Sequence, residues 1–534
     1  MSTYVISYDI GTTGIKTCLF EISNQIELVA SATANYPILI TGNGGAEQDP
    51  NHWWQAMCRT TAQIFEKTPI PKHAIEGVSF CAQMQSLVLV DQDGVPVRNA
   101  MSYMDSRAGN EMEMGIMRGV KVSGLNLYKL FRSLRITGAV SASVKDPVWK
   151  YNWVKNNEPE LFSRVYKWLD VKDFLVYKTC HKFVMSEDSA FATLLYDTRK
   201  GRKGFNRELC KMMGVNMDHL PAICKSIDLV GTITEDAALE LGLLPGTPVF
   251  AGGGDASLIG VGAGAVSEGD THIYMGTSGW VSTIVRKQLL SLKSMTASIV
   301  GADPNSYHFF AELETAGKCL EWVRDHLALD EIDLFLEKKE ICDDPECIHK
   351  SLYDYMMFCI KDVPPGSNGV IFTPWLHGNR CPFEDPNARG MFFNIGLETG
   401  KTEMIHAVLE GVCYHLKWQL ESMEKCIQTS PAIRLVGGGA LSPLTCQILS
   451  NVLNRHVEVV DSPQNVGAVG AAIVIAVGLG LIDNIESSKN LIPIAHRYSP
   501  NESNARVYNE YFPVFKSLYR NNAKAFKKLN QTNC

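Results

Sequence analysis

Apolar and polar positions near the start of the chain predict a β-hairpin closed by a glycine-rich turn. Residues 4–8 carry apolar positions that run into Asp9, residues 11–14 are a Gly-Thr-Thr-Gly turn, and residues 17–20 are a second apolar run. The same pattern, with a Gly-Thr-Ser-Gly turn, returns at residues 274–285. An apolar run, a turn and a second run indicate paired strands. Because one such hairpin lies in each half of the chain, we expect a duplicated architecture.

Between and after these hairpins, strand-like and helix-like stretches alternate. Asp146-Pro147 and Ser442-Pro443 each place a capping side chain before a proline, which is typical of a helix start. Residues 466–482 are apolar or glycine throughout, but the stretch is short for a membrane span, so we predict a buried helix. The predicted elements are strands over 75–79 and 87–90, helices beginning at Pro147 and Pro443, a buried helix over 466–482, and a terminal helix over 508–528 that is interrupted near Pro513.

A cluster of turn residues divides the chain into two halves. Pro245-Gly246-Thr247-Pro248 precedes the apolar run 249–251, and such a cluster is typical of a domain boundary. We therefore predict a first domain over residues 1–250 and a second over residues 251–534, both of the α/β class.

Composition excludes some classes of function and names none. The 534 residues include 50 Lys plus Arg against 57 Asp plus Glu, for a formal net charge of -7. Nucleic-acid and anionic-membrane surfaces need concentrated positive charge, so we expect neither as a partner. The chain starts without the basic and apolar regions of a signal peptide, and its 15 cysteines are scattered, as expected of reduced thiols in a cytoplasmic protein.

One local group of metal-ligating residues stands out among the cysteines. Cys342, Cys347, His349 and Cys359 lie close together in the sequence, but no second pair follows at zinc-ligand spacing. We interpret this segment as an acidic surface loop, with a zinc site as the alternative.

The two glycine turns are suited to binding anions. Glycine lets the backbone adopt turn conformations closed to other residues and approach a ligand closely. Successive N–H groups in such a turn form an anion-binding nest, and the Thr and Ser hydroxyls add donors. The residue before the turn is Asp9 in the first hairpin and Met275 in the second. A single carboxylate in a repeated motif favours a metal ion at one loop only, whereas either turn alone is also compatible with an ordinary hairpin.

Two further glycine runs follow predicted strands. Gly252-Gly253-Gly254 leads into Asp255, and residues 437–439 follow the apolar run 433–436. Ligands of open α/β sheets bind where strands end, so Asp255 is a candidate general base, with a helix N-cap as the alternative. The second run is suited to a flat adenine or ribose. The sequence contains no P-loop lysine motif, dinucleotide fingerprint, nucleophile elbow or H-E-x-x-H motif.

These motifs together resemble the FGGY carbohydrate kinases. The segments 9–13, 252–255, 275–278 and 437–440 occur in that family's order and spacing, and a family signature over residues 147–157 is preceded by one departure, Lys145. The resemblance covers almost the whole chain. It implies an α/β fold of two actin-like, ribonuclease-H-like domains around an interdomain cleft, with ATP mainly on the second domain and sugar mainly on the first.

The resemblance also implies roles for individual residues. Asp255 matches the catalytic base that takes the proton from the sugar hydroxyl, and Asp9 matches the carboxylate near the magnesium of MgATP. We expect the two domains to close on the sugar before transfer, because water is also a nucleophile. The residues that match nucleotide-binding motifs are Gly11, Thr12, Thr13 and Lys16 at the first phosphate loop, Gly276, Thr277 and Ser278 at the second, and Gly438, Gly439 and Ala440 at the adenosine motif.

Two segments match the family's sugar-contact loops. The candidate sugar ligands are Met84, Gln85, Tyr103, Asp105 and Asp255. Xylulose kinases resemble this chain at Met84 but have His in place of Gln85 and Trp-Asn-Asp in place of residues 103–105, and the Arg-Glu pair of glycerol kinases is missing. A Met-Gln pair is suited to an uncharged polyol or ketose, and less to an aldonate. Arg107 either orients Asp105 or is a structural ion-pair partner.

We therefore expect an ATP- and Mg²⁺-dependent cytoplasmic kinase for a terminal hydroxyl of a ketopentose, with xylulose first. The alternatives are another substrate of the family (ribulose, erythritol, gluconate or a hexulose), a non-catalytic nucleotide-gated sugar sensor, and a chaperone-like ATPase. The sensor is disfavoured because Asp9 and Asp255 are both present, and the chaperone because no sequence remains for a peptide-binding domain. The expected partners are the sugar and MgATP, with a homodimer left open.

Overall fold

Two mixed β-sheets organise the computed structural model, which describes residues 3–122, 124–291, 293–327 and 352–530. The strands of the first sheet are β1 (Thr3–Ile10), β2 (Gly14–Ile22), β3 (Ile26–Asn35), β4 (Ile75–Ala82), β5 (Leu229–Thr232), β6 (Pro248–Phe250) and β7 (Gly253–Gly254). Those of the second are β8 (Thr271–Met275), β9 (Gly279–Val285), β10 (Leu290–Ser291), β11 (Thr296–Val300), β12 (Tyr307–Leu313), β13 (Ala432–Val436), β14 (His456–Val460) and β15 (Ile494–Tyr498).

The two sheets repeat one strand order. The first runs β3-β2-β1-β4-β6-β5, and the second contains β12-β9-β8-β13-β14-β15, extended beyond β12 by β11 and β10. In each sheet three antiparallel strands are followed by two parallel strands and a final antiparallel one. β1 and β8 occupy equivalent positions, and each is joined to the next strand by a glycine turn. The duplicated architecture predicted from the two hairpins is confirmed.

Helices cover the faces of both sheets. Those used below are α1 (Pro50–Lys67), α2 (Pro147–Asn157), α3 (Val171–Cys180), α4 (Asp255–Gly262), α5 (Gly317–His326), α6 (Lys401–Met423), α7 (Pro443–Leu453), α8 (Val466–Gly478) and α9 (Glu502–Asn530). Further helices are Gly109–Ile116, Leu127–Ile136, Pro159–Phe162, Glu187–Ala192, Arg207–Met213, Glu235–Leu241 and Leu352–Ile360. Short strands outside the two sheets are Leu39–Ile40, Ala46–Gln48, Val88–Val90, Ala100–Met101, Lys121–Val122, Leu125–Asn126, Lys167–Leu169, Val184–Ser186, Tyr196–Asp197, Gly204–Phe205, Ala222–Cys224, Ile371–Thr373 and Met391–Phe393.

Both helix starts predicted from a proline are confirmed. Asp146 is the N-cap of α2, but its carboxylate accepts a hydrogen bond from the Ser143 N–H (2.9 Å) and none from the helix itself. Ser442 is the N-cap of α7, and its hydroxyl accepts from the Thr445 N–H at 3.2 Å. A side-chain oxygen at this position satisfies a helix N–H that would otherwise lack a partner.

α8 packs on the first sheet although in sequence it lies between β14 and β15 of the second sheet. It is buried in one cluster with Val5 of β1, Phe20 of β2 and Phe250 of β6, which confirms the buried helix predicted from the apolar run. Across the part of the chain that the structure describes, no helix is long and apolar enough to cross a membrane.

The end of the first sheet lies later in the chain than the predicted domain boundary. β6 and β7 both pair with β4, so the first sheet extends to Gly254, and the second sheet begins at Thr271. The division at residue 250 stays a prediction, and the strand pairing favours a boundary between these two residues.

The predicted interruption of the terminal helix near Pro513 is wrong. α9 runs unbroken from Glu502 to Asn530 with Pro513 inside it. A proline in a helix interior loses one hydrogen bond and costs about 3 kcal/mol. Here Tyr508, Phe512 and Phe515 on the same helix are buried in the core of the second sheet, and burying side chains of this size offsets such a loss.

The cysteine and histidine segment lies largely outside the described residues. Cys342, Cys347 and His349 are not among them, and Cys359 lies in the helix Leu352–Ile360. Within the described ranges, no three His, Cys, Asp or Glu side chains are grouped to hold a metal ion, and the described cysteines are unpaired.

Candidate active site

The first glycine turn follows Asp9 at the end of β1. Asp9 lies opposite Lys16 across the hairpin and opposite Cys81 on the parallel strand β4. The Gly11 N–H donates to the Gly14 carbonyl at 2.9 Å, and the Tyr36 hydroxyl lies within hydrogen-bond distance of the carbonyls of both Gly11 (2.6 Å) and Gly14 (3.0 Å). These bonds use the carbonyls and leave the hydroxyls of the turn free of the backbone. The conformation of the loop is therefore held by hydrogen bonds that do not involve its hydroxyls, which suits a loop that binds an anion.

The second glycine turn lies beside the predicted adenosine motif. The Gly317 N–H, at the start of α5, donates to the Gly276 carbonyl at 2.8 Å. A Cβ on Gly439 would stand 2.5 Å from the Met275 sulfur, and one on Gly437 would stand 2.7 Å from the Met275 carbonyl oxygen. Glycine is therefore required where these two segments meet. The structure brings Gly276, Thr277 and Ser278 next to Gly438, Gly439 and Ala440.

Asp255 begins α4 directly after the triple glycine. Gly252 has φ +70°, and a Cβ there would lie 2.1 Å from the Phe80 carbonyl oxygen. The backbone of the loop therefore packs directly against the backbone of β4. The N-cap of α4 is Gly254, not Asp255, so the interpretation of Asp255 as the helix cap is wrong. Its Oδ1 accepts the neighbouring Ala256 N–H at 2.7 Å, and no side chain donates to it among the described hydrogen bonds. That leaves its second oxygen available to a substrate.

Sequence reasoning missed Asp188, which holds this loop from beneath. Asp188 is 1% exposed, and its Oδ2 accepts from the Gly254 N–H at 2.7 Å and from the Ser257 hydroxyl. Its other oxygen accepts from the Ser186 hydroxyl. Since Gly254 and Ser257 flank Asp255, these bonds fix the backbone that carries it. No local motif marks Asp188, because it reaches the loop only through the tertiary fold.

Acidic side chains from both halves of the chain surround Asp255. Burial, with further contributions from the Asp9 and Glu312 carboxylates, raises the pKa of Asp255 to about 7. Burial also raises the pKa of Asp9, against the opposing effect of Lys16. Burial raises the pKa of Tyr274 in β8, and the nearby carboxylates of Asp9 and Asp255 raise it further. The structure therefore brings Asp9 and Asp255 to one site with the second hairpin.

A pH profile follows from the raised pKa of Asp255. A general base must be ionised to accept a proton, so protonation below its pKa removes activity. We expect kcat/KM to reach a plateau above about pH 8 and to fall about tenfold per pH unit below about pH 6. The measurement is the initial rate at subsaturating sugar between these limits, in buffers of constant ionic strength. A profile that stays flat down to pH 5.5 (roughly 1.5 units below the pKa) would contradict the assignment.

The start of α8 contacts the Asp9 carboxylate. A Cβ on Gly467 would lie 2.6 Å from Asp9 Oδ2, so only glycine leaves room for the carboxylate at this point. The Lys16 ammonium donates to the Gln464 carbonyl, just before α8. Mg²⁺ in nucleotide sites is held by one or two carboxylates together with the phosphates and water. An oxygen ligand such as Asp9, with no protein cage around it, fits that pattern.

The predicted sugar ligands lie on two loops, which we call the first sugar loop (residues 83–86) and the second sugar loop (residues 102–107). Met84 packs on the loop of the candidate base, since a Cβ on Gly254 would stand 2.2 Å from its sulfur. Tyr103 is 39% exposed and accepts a hydrogen bond from the Thr12 hydroxyl at 3.3 Å. The second sugar loop therefore contacts the first phosphate loop.

Asp105 is fully buried below the second sugar loop. Its Oδ2 accepts from the Ala46 N–H at 2.9 Å and from Arg107 Nη2 at 2.7 Å. Arg107 also pairs with Glu47 and lies over the Trp153 ring, so its structural ion pair is present. These contacts favour a supporting role for Asp105, and its direct contact with sugar stays a prediction.

Three cationic side chains near the site are engaged by carboxylates or by backbone carbonyls. Arg380 pairs with Glu312 and Glu314, and Arg107 pairs with Asp105 and Glu47. Buried Lys150 donates to the carbonyls of Gln85 and Ser102. Arg107 and Arg380 are therefore already engaged by carboxylates.

The two sheets share one strand order, and each has a glycine loop. This arrangement defines a two-domain actin-like ATPase fold. Residues 4–262 match the N-terminal domain of the FGGY family of carbohydrate kinases, and residues 272–479 match its C-terminal domain. The chain belongs to this family. It is accordingly a carbohydrate kinase, a phosphotransferase with nucleotide and sugar substrates.

Curated relatives and solved structures agree on the family and the fold. A gluconokinase of Bacillus subtilis is 28% identical over 97% of this chain and 96% of its own length. A xylulose kinase of Lactococcus lactis is 28% identical over 99% of both chains. The structure of a gluconate kinase from Lactobacillus acidophilus superimposes with a TM-score of 0.83 at 24% identity, over 99% of this chain and 100% of that one. The last comparison bears on the fold alone.

Proposed function

We propose that the protein transfers the γ-phosphoryl group of MgATP to a terminal hydroxyl of an uncharged ketopentose, xylulose first. The observation that carries the choice of an uncharged sugar is the pairing of Arg107 and Arg380 with carboxylates beside an acidic site. A sugar acid would bring its own carboxylate close to Asp9 and Asp255, where these two arginines already have carboxylate partners. Unpaired like charges in a site of low dielectric are strongly disfavoured.

Asp255 carries out the proton transfer in this proposal. Its free carboxylate oxygen accepts the proton of the attacking hydroxyl, and a pKa of about 7 suits a base that works near neutral pH. The paired glycine loops hold the phosphates through N–H groups, and the run at Gly438 and Gly439 receives the adenosine. Asp9 would hold Mg²⁺, which supplies charge neutralisation during phosphoryl transfer.

Gluconate is the second candidate, because a relative named gluconokinase matches as well as those named xylulose kinase. An ADP-release assay over xylulose, ribulose, erythritol and gluconate separates the candidates. We expect kcat/KM for xylulose to exceed that for gluconate by at least about tenfold, the scale of one unmatched polar contact. A preference for gluconate would contradict the uncharged-sugar assignment while leaving the kinase activity standing.

A change at Gln85 tests the first sugar loop. Gln85 has φ +63°, and histidine is among the residues that tolerate this region of backbone conformation. Gln85→His is therefore expected to keep the loop and to raise the xylulose-to-ribulose ratio of kcat/KM by at least about threefold, which corresponds to at least about 0.6 kcal/mol. The measurement is the ratio across the sugar panel. An unchanged ratio would remove Gln85 from the residues that set specificity.

A further inference from the structure

We propose that Lys150 is a positioning residue that locks the first and second sugar loops to one another and so sets the affinity for the sugar; this rests on the function proposed above. Lys150 lies in α2 and is 0% exposed. Its Nζ donates to the Gln85 carbonyl at 2.8 Å and to the Ser102 carbonyl at 2.7 Å. One side chain from outside both loops therefore holds a backbone group of each.

Three buried carboxylates lie close enough to affect the charge of Lys150. Burial lowers the pKa of Lys150 to about 7, and the carboxylates of Asp105, Asp170 and Asp146 oppose that shift. A buried charge is costly unless it is paired and hydrogen-bonded. The proposal rests on the two hydrogen bonds that Lys150 donates to the loops, and not on a contact of Lys150 with the sugar.

The backbone of Gln85 shows what Lys150 holds in place. A left-handed conformation costs a residue other than glycine about 1–3 kcal/mol and persists only where the surroundings enforce it. Here the Gln85 N–H donates to Asp170 Oδ2 at 2.9 Å, and its carbonyl accepts from Lys150. The peptide groups on both sides of Gln85 are therefore fixed. Removing Lys150 would release one of them and let φ relax.

A change in the conformation of Gln85 would also move Met84, which packs beside the candidate base Asp255. Met84 packs against Gly254, the residue before Asp255, closely enough that a Cβ on Gly254 would stand 2.2 Å from its sulfur. A shift of the first sugar loop would thus change both the sugar pocket and its alignment with Asp255. Binding of ATP, which involves the two glycine hairpins and the adenosine motif, would be affected much less.

Lys150→Met tests this, because it removes the donors at nearly constant volume. We expect the KM for the sugar to rise at least about tenfold, as for loss of a charge-assisted hydrogen bond, with the KM for ATP within about twofold, a change below 0.5 kcal/mol. The matched control is Lys129→Met, whose ammonium likewise joins two backbone carbonyls, of Gly115 (2.6 Å) and Met212 (3.2 Å), away from both loops. Equal effects of the two variants on the sugar KM would overturn the proposal.

A double-mutant cycle isolates the role of the Gln85 backbone. Glycine adopts a positive φ at no steric cost, so in a Gln85→Gly background the same Lys150→Met change is expected to raise the sugar KM by less than about threefold. Full additivity would contradict the proposal. If Lys150→Met does not fold, Lys150→Arg keeps the charge but cannot place its planar fork at the same two carbonyls, and the same rise in sugar KM is expected.

The outcomes also separate this proposal from the proposed function. A wild-type protein that releases no ADP with any sugar of the panel would overturn both. Normal wild-type turnover with an unchanged sugar KM in a folded Lys150 variant would overturn only the positioning role.

Discussion

Asp255→Asn is expected to lower kcat by at least about 100-fold while leaving ATP binding within about threefold, because a positioned general base contributes 10²–10⁴-fold. Asparagine keeps the shape of the side chain and can still accept the Ala256 N–H, but it cannot take the proton of the sugar hydroxyl. The bonds from Asp188 to Gly254 and Ser257 stay in place, so the loop should not move. The measurements are steady-state kcat with saturating sugar and the Kd for ATP by calorimetry.

The control for this variant is Asp483→Asn, which removes an exposed carboxylate near the end of α8. It should keep the wild-type kcat. A near-normal kcat for Asp255→Asn would remove Asp255 from the role of base, and a loss of ATP binding would show that the substitution had disturbed more than proton transfer.

Gly262→Ala is expected to have the largest effect on stability. A Cβ at this position would lie 1.9 Å from the Val466 carbonyl oxygen and 2.8 Å from the Gly470 N, both backbone atoms of α8. Backbone cannot rotate away, so α4 and α8 would have to separate. Overpacking of this kind costs about 3 kcal/mol, which for domains of this size lowers Tm by roughly 5–10 °C.

The same change should also lower activity, because α4 carries Asp255 and the first turn of α8 contacts the Asp9 carboxylate. Gly109→Ala is the matched control, since nothing lies within 4 Å of a Cβ there and alanine is the better helix former. The measurements are Tm by calorimetry and kcat for both variants. A Gly262→Ala protein with a Tm within about 1 °C of the wild type, well below the expected shift, would contradict the close helix contact.

Local signals in the sequence were sufficient for the turns and for several helix starts. A glycine turn after an apolar run defines a hairpin without help from the rest of the chain, and both hairpins are present. The Ser442-Pro443 start of α7 is correct because a cap and its helix are adjacent in sequence. Asp255 is a candidate base from the sequence alone because it directly follows three glycines at a strand end.

The features that could not be predicted depend on contacts between distant segments. Asp188 supports the Asp255 loop across 66 residues of sequence, and no spacing rule links the two. α9 continues through Pro513 because its aromatic face is buried in the core of the second sheet. The sequence of the helix alone does not reveal that packing. The burial of Asp105 likewise follows from Ala46 and Arg107, which only the folded chain brings to it.

The most direct test of the account is the identity of the phosphorylated product. Incubation of the wild-type protein with MgATP and xylulose, followed by phosphorus NMR, is expected to show one sugar phosphate formed for each ADP, and none with Asp255→Asn over the same time. ADP accompanied by inorganic phosphate, at a rate that does not depend on sugar, would contradict it.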